Sequence, residues 1–126
     1  MAAKVKIAII EDDAAIVQMY RLKFESDGFE VRTAGDGILG LKLVEEFNPD
    51  IVLLDLIMPQ MGGLDVLHQL RSNAKTKDLK VVVLTNMGDA ETASKVFAMK
   101  ATDYIVKAEM TPREVSQKVK KLLGKE

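Results

Sequence analysis

Short apolar runs, rich in β-branched residues, alternate with longer amphipathic stretches along the whole of this 126-residue chain. Val5–Ile10 (interrupted only by Lys6), Glu30–Ala34, Ile51–Leu54, Lys80–Leu84 and Asp103–Val106 are too short for packed helices and read as strands. The intervening stretches carry helical periodicity. From Ala14 to about Asp27, Ile16, Tyr20 and Phe24 recur every four residues, which is one helix face. Ile38–Phe47 turns Leu41 and Val44 inward, and about Leu64 to Ser72 repeats leucine at Leu64, Leu67 and Leu70. Ala90–Lys100 is a fourth helix. The fifth opens on Thr111-Pro112-Arg113-Glu114, a capping box with proline at the first helical position, and continues through Val115, Val119 and Leu122. Gly28 suits the stop after the first helix. Gly40 sits mid-helix at a cost of about 1 kcal/mol relative to alanine, which implies a close helix–sheet approach. Five strands alternating with five helices over short connections require a parallel sheet covered on both faces, a doubly wound α/β domain with right-handed crossovers. No repeat or linker divides it, so one domain over residues 1–126 is expected.

Composition removes several function classes. Without cysteine there is no disulfide, thiol nucleophile or thiolate metal site. That absence suits a reducing cytosol, and a cytoplasmic location is expected. A formal net charge of −1 gives no bulk electrostatic reason to bind nucleic acid or an anionic membrane. No apolar run approaches the roughly 20 residues of a membrane span, and Met-Ala-Ala-Lys carries no signal-peptide core. Neither direct nucleic-acid binding nor membrane attachment is expected.

In a parallel sheet every strand ends at the same edge, and ligands bind there. The residues just past each strand are therefore the expected site. Glu11, Asp12 and Asp13 come after the first strand, Asp55 after the third, Thr85 after the fourth and Lys107 after the fifth. Singly, each is an ordinary surface or capping residue. Together they bring several carboxylates, a hydroxyl and an ammonium to one edge. Crowded carboxylates repel one another unless a hard divalent cation relieves them, and Mg²⁺ prefers such oxygen ligands together with phosphate oxygens. A carboxylate can also attack phosphorus to give an aspartyl phosphate. Lys107 and a hydrogen bond from Thr85 could then stabilise the phosphoryl oxygens.

Four segments carry a family resemblance: Ile9-Ile10-Glu11-Asp12-Asp13, Leu54-Asp55-Leu56-Ile57-Met58-Pro59-Gln60-Met61-Gly62-Gly63, Leu84-Thr85 and Tyr104-Ile105-Val106-Lys107. The chain resembles, over essentially its whole length, the receiver domain of a two-component response regulator, in particular a single-domain chemotaxis-type regulator. The resemblance implies a flavodoxin-like (βα)5 fold with strand order 2-1-3-4-5. It implies Asp55 as phosphoacceptor, and Mg²⁺ bound by Asp12, by Glu11 through water, by Asp55 and by the backbone carbonyl of Ile57. It implies Lys107 on the phosphoryl group, and Thr85 and Tyr104 as switch residues that move inward on phosphorylation. The implied partners are a sensor histidine kinase or phosphotransfer protein, and a downstream protein on the face of the fourth helix, fifth strand and fifth helix. Homodimerisation on phosphorylation is a further implied outcome. That face should include residues near Ala90, Lys95, Met99, Val106 and Lys118. Such a module is not an enzyme beyond promoting its own phosphorylation and dephosphorylation.

Several departures from the family pattern carry expectations. Ala108 replaces the usual proline after the lysine, and a cis bond before a non-proline residue costs about 2.5–4 kcal/mol, so Lys107–Ala108 should be trans. Asn86 stands where a small residue is common and could narrow access to Asp55. Ile57 and Met87 form an apolar pair that should hinder the attacking water, so a long half-life of the phosphorylated protein is expected. Lys100 stands where glycine is common. His68 reads as a solvent-facing helix residue. An aspartyl-phosphate phosphatase would carry a second aspartate where Ile57 stands. A phosphate-independent pseudo-receiver would not need Glu11, Asp12, Asp55, Thr85 and Lys107 together, and a flavin protein would need more than 5% aromatics. The tail 122–126 carries no effector segment, and a stand-alone regulator is expected.

Overall fold

A computed structural model describes residues 4–86 and 88–125. Its elements are β1 (Lys6–Ile10), α1 (Ala14–Ser26), β2 (Glu30–Ala34), α2 (Gly37–Phe47), β3 (Ile51–Leu54), α3 (Gly63–Ser72), β4 (Lys80–Thr85), α4 (Ala90–Ala98), β5 (Asp103–Val106), a 3-10 turn (Lys107–Glu109) and α5 (Pro112–Leu122). All strand pairs are parallel, and the order is β2-β1-β3-β4-β5. The expected doubly wound fold is therefore present.

Strand side chains alternate between faces, so each strand feeds two cores. Ala8, Ile10, Val52, Leu54, Val81 and Val83 pack under α2, α3 and α4. Ile7, Ile9, Leu53, Val82, Leu84 and Ile105 pack with Tyr20 and Phe24 of α1 and Val115 and Val119 of α5. Burial on both faces explains why the strands read as unbroken apolar runs. Gly40 has the expected close approach: a Cβ there would lie 2.7 Å from Ile10 Cγ2.

Helix ends differ from the periodicity where local chemistry intervenes. Asp36 accepts from the Leu39 amide at 2.8 Å, which starts α2 at Gly37 rather than Ile38. α4 ends at Ala98 rather than Lys100, because Lys100 takes the left-handed conformation at φ 67°. Its carbonyl accepts from Arg71 Nε at 3.0 Å, which ties that turn to α3. The turn geometry that glycine would favour is thus kept without glycine.

Asp27, the C-cap of α1, joins the two helices of one layer. It accepts from Ser116 Oγ of α5 at 2.5 Å and pairs with Lys23 at 3.3 Å and Lys120 at 3.5 Å. The Ser116 hydrogen bond, against the opposing effect of burial and with help from both lysines, holds its carboxyl below the usual value. A depressed folded pKa contributes stability above the unfolded value, and that contribution is lost as pH falls through the folded one. Wild type should therefore lose more stability than Asp27→Asn on acidification below about pH 5, the upper edge of the window for an ordinary aspartate. Parallel acid limbs in denaturant titrations of the two proteins would remove this role.

Candidate functional site

The sheet ladder runs one residue past β1 and β3. The Glu11 amide donates to the Ala34 carbonyl at 3.0 Å, and the Asp55 amide donates to the Ile10 carbonyl at 3.0 Å. These bonds fix Glu11 and Asp55 side by side at the C-terminal edge. Both are buried, at 5% and 7% exposure, whereas Asp12 is exposed. Glu11, Asp12 and Asp55 offer carboxylate oxygens that all lie within 4.8 Å of one another. The Asp12 carboxyl is pushed above its ordinary value, first by desolvation and then by a hydrogen bond with Glu11. Asp13 does not join this cluster. Its carboxylate caps α1, accepting from Ala15 at 3.0 Å and Ile16 at 3.1 Å, and its amide donates to Glu11 Oε2.

Lys107 reaches the same edge from the end of β5. Its ammonium pairs with Glu11 Oε1 and lies 3.5 Å from Asp55 Oδ2. The Glu11 pairing has no signature in the sequence, which directs the lysine only toward a phosphoryl group. The Lys107–Ala108 bond is trans, as expected. Thr85, 1% exposed, ends β4 opposite Val106 of β5. Asn86 beside it is exposed, and Met87 lies outside the described residues.

The loop after β3 positions the acidic edge against α3. Ile57 projects into solvent at 64% exposure. Gln60 adopts φ 69°. The Gly63 amide donates to the Leu56 carbonyl at 2.9 Å, and a Cβ at Gly63 would collide with the Asp55 carbonyl and lie 2.7 Å from Leu56 Cα. The paired glycines are visible in the sequence, but their seat on Asp55's own backbone is not.

Tyr104 packs edge-on against Phe97 of α4, with ring centroids 6.4 Å apart. Its hydroxyl is buried and has no hydrogen-bond partner among the described residues. Desolvation, then the negative charges of Asp89 and Glu109, push its pKa up. Of the residues expected on the α4–β5–α5 face, Lys118 of α5 pairs with Asp103 of β5 at 3.2 Å. Lys95 and Met99 line a cleft between α3 and α4. Lys95 lies in the last turn of α4 and Met99 is its C-cap, four residues on.

Three clustered carboxylates, two of them buried, form an all-oxygen donor set without thiolate or imidazole, which fits a hard divalent cation. Among the described residues no helix is long and apolar enough to cross a membrane.

Residues 7–120 match the model of the response regulator receiver domain. The chain is 36% identical over 102 residues to the DNA-binding dual master transcriptional regulator RpaA of Synechocystis, covering 81% of this chain and 42% of that protein. It is 34% identical over 118 residues to the phosphate regulon regulatory protein PhoB of Rhizobium meliloti, covering 94% of this chain and 52% of that protein. The chain thus spans about half the length of these curated relatives. The chemotaxis protein CheY4 of Vibrio cholerae superposes with a TM-score of 0.88 at 26% identity, over 95% of this chain and 99% of that one. An acidic edge closed by a lysine, a β3–α3 loop seated by glycine and strand order 2-1-3-4-5 accompany a family match over nearly the whole sequence: the chain belongs to the response regulator receiver domains of two-component systems.

Proposed function

We propose that this receiver is a phosphorylation-activated switch in which Asp55 takes a phosphoryl group from the phosphohistidine of a sensor histidine kinase or phosphotransfer protein. The observation that carries this reading is the meeting of Asp55, two further carboxylates and Lys107 at one sheet edge. An Asp55 oxygen attacks phosphorus, the P–N bond to the donor imidazole breaks, and an acyl phosphate forms as the imidazole leaves. Mg²⁺, held by Asp12, by Glu11 through water, by Asp55 and by the Ile57 carbonyl, would supply positive charge to the phosphoryl oxygens. Lys107 turns from the carboxylates to a phosphoryl oxygen and adds a second positive charge. The exposed apolar Ile57 offers no group to orient an attacking water, which supports slow loss of phosphate.

Thr85 then donates to the phosphoryl group, and Tyr104, whose hydroxyl has no hydrogen-bond partner among the described residues, turns inward with it. Moving an equilibrium from 1:99 to 99:1 takes about 5.5 kcal/mol. Hydrogen bonds to charged groups contribute about 1.5–3 kcal/mol each, so those from Thr85 and Lys107 are of the required size. The α4–β5–α5 face then controls binding of a downstream protein, a second phosphorylated copy being one such partner. The retention of Glu11, Asp12, Asp55, Thr85 and Lys107 together argues against a pseudo-receiver.

Beryllium trifluoride with Mg²⁺, added as a phosphoryl mimic, tests the switch by amide NMR. In wild type the perturbations should extend from Asp55 through Tyr104 to α5. In Thr85→Ala they should stop near Asp55, and phosphoryl uptake should persist. Equal spread in both proteins would remove Thr85 from the switch.

A further inference from the structure

The cleft between α3 and α4 has no part in the chemistry above. Its volume is about 750 Å³. Half-buried Leu64 and Met99, with the edge of buried Leu56, supply its apolar lining. Asp65 on the α3 wall and Glu91 on the α4 wall line the same cleft, and both are exposed. Neither makes an ion pair among the described residues. Asp89 also lines the cleft, but it is already committed as the N-cap of α4, accepting from the Thr92 amide and hydroxyl at 2.9 and 2.7 Å. Lys95 is the one lysine or arginine in the lining, so the cleft carries net negative charge. First-turn acids suit helix dipoles, yet that role does not require two of them to line one cleft.

The two walls are held differently. α3 buries Gly63, Val66, Leu67 and Leu70, and its first residue is seated on the Asp55 backbone. α4 buries Val96 alone. One wall is thus fixed and the other lightly anchored, so the groove can adjust to an occupant. At ten and nine residues, the walls are about 13–15 Å long, which matches about two and a half turns of a third helix.

The geometry points to a docking groove for a basic amphipathic helix of a partner protein. Leucine-type side chains on one face of that helix lie on Leu64 and Met99, and flanking Lys or Arg residues face Asp65 and Glu91. This groove lies on the α3-facing side of α4.

The test uses the full chain, ¹⁵N-labelled and unphosphorylated, titrated with a 14-residue leucine–lysine peptide of helical periodicity and with its leucine–glutamate counterpart. The lysine peptide should perturb α3 and α4 amides, with a micromolar Kd weakened about fivefold in Asp65→Asn/Glu91→Gln, the size expected for two rim charges. Glu45→Gln/Glu46→Gln on exposed α2 positions changes net charge equally and should bind like wild type. Three results would each overturn the proposal: no binding of the lysine peptide, equal binding of the glutamate peptide, or perturbations centred on α5. Equal weakening in the α2 variant would do the same, by reducing the effect to overall charge.

Discussion

Replacing Lys107 with methionine should destabilise the domain by about 3–5 kcal/mol when divalent cations are absent, the cost of removing one partner from a buried ionic cluster. The ammonium is the only cation paired with Glu11 and Asp55 among the described residues, and all three side chains are at most 10% exposed. A surface contact would contribute about 1 kcal/mol or less, so the magnitude separates the two roles. The variant should also respond more strongly to Mg²⁺. A cation that binds only the folded state stabilises it by mass action, and the variant's carboxylates present it with no competing ammonium. Urea unfolding with and without Mg²⁺ measures both effects. An unchanged midpoint without Mg²⁺ would show that Lys107 does not hold the acidic edge together.

Gly63→Ala should cost about 3 kcal/mol, the upper part of the overpacking range, and should impair phosphoryl uptake as well. The new methyl would meet the Asp55 carbonyl, with Leu56 Cα at 2.7 Å and the Asp55 carbonyl carbon at 2.9 Å. These are backbone atoms and cannot rotate away, so relief must move Asp55 or the start of α3. Gly62→Ala is the control. A Cβ there would find only the Leu56 carbonyl oxygen at 3.6 Å, and Gly62 has an ordinary φ of −71°. Its cost should stay below about 1 kcal/mol, the loss of a modest N-cap preference. Thermal unfolding of the pair decides the matter. Equal stability of Gly63→Ala and wild type would remove the rigid link between α3 and Asp55.

Much of this is legible in the sequence because both faces of the sheet are covered. Ile51–Leu54 and Val81–Leu84 are buried on both sides, and an uninterrupted apolar run is the trace of that burial. The candidate site is legible for a related reason: in a parallel sheet every strand's C-terminal end reaches one edge, so Glu11, Asp55, Thr85 and Lys107 share that edge, and the order β1-β3-β4-β5 decides which of them meet. The order itself depends on contacts distant in sequence, and only the family resemblance supplies it. Side-chain partnerships are not legible. Asp12 and Asp13 are adjacent and chemically alike, yet the turn into α1 makes one a member of the cluster and the other a helix cap. The Lys107–Glu11 pair depends on how a long side chain crosses from β5 to β1, and residue spacing does not encode that reach. The family resemblance places Met99 on the face of α4, β5 and α5. It lines the α3–α4 cleft as the C-cap of α4.

The proposed phosphoacceptor role of Asp55 makes phosphoryl uptake depend on both that side chain and a divalent cation. The most direct measurement is the intact mass of wild type and Asp55→Asn after incubation with Mg²⁺ and a small phosphodonor. One phosphoryl group should be added to wild type, none to Asp55→Asn, and none to wild type when Mg²⁺ is chelated. Equal phosphorylation of Asp55→Asn, or no uptake by folded wild type with Mg²⁺ from either a small donor or a phosphorylated kinase, would contradict it.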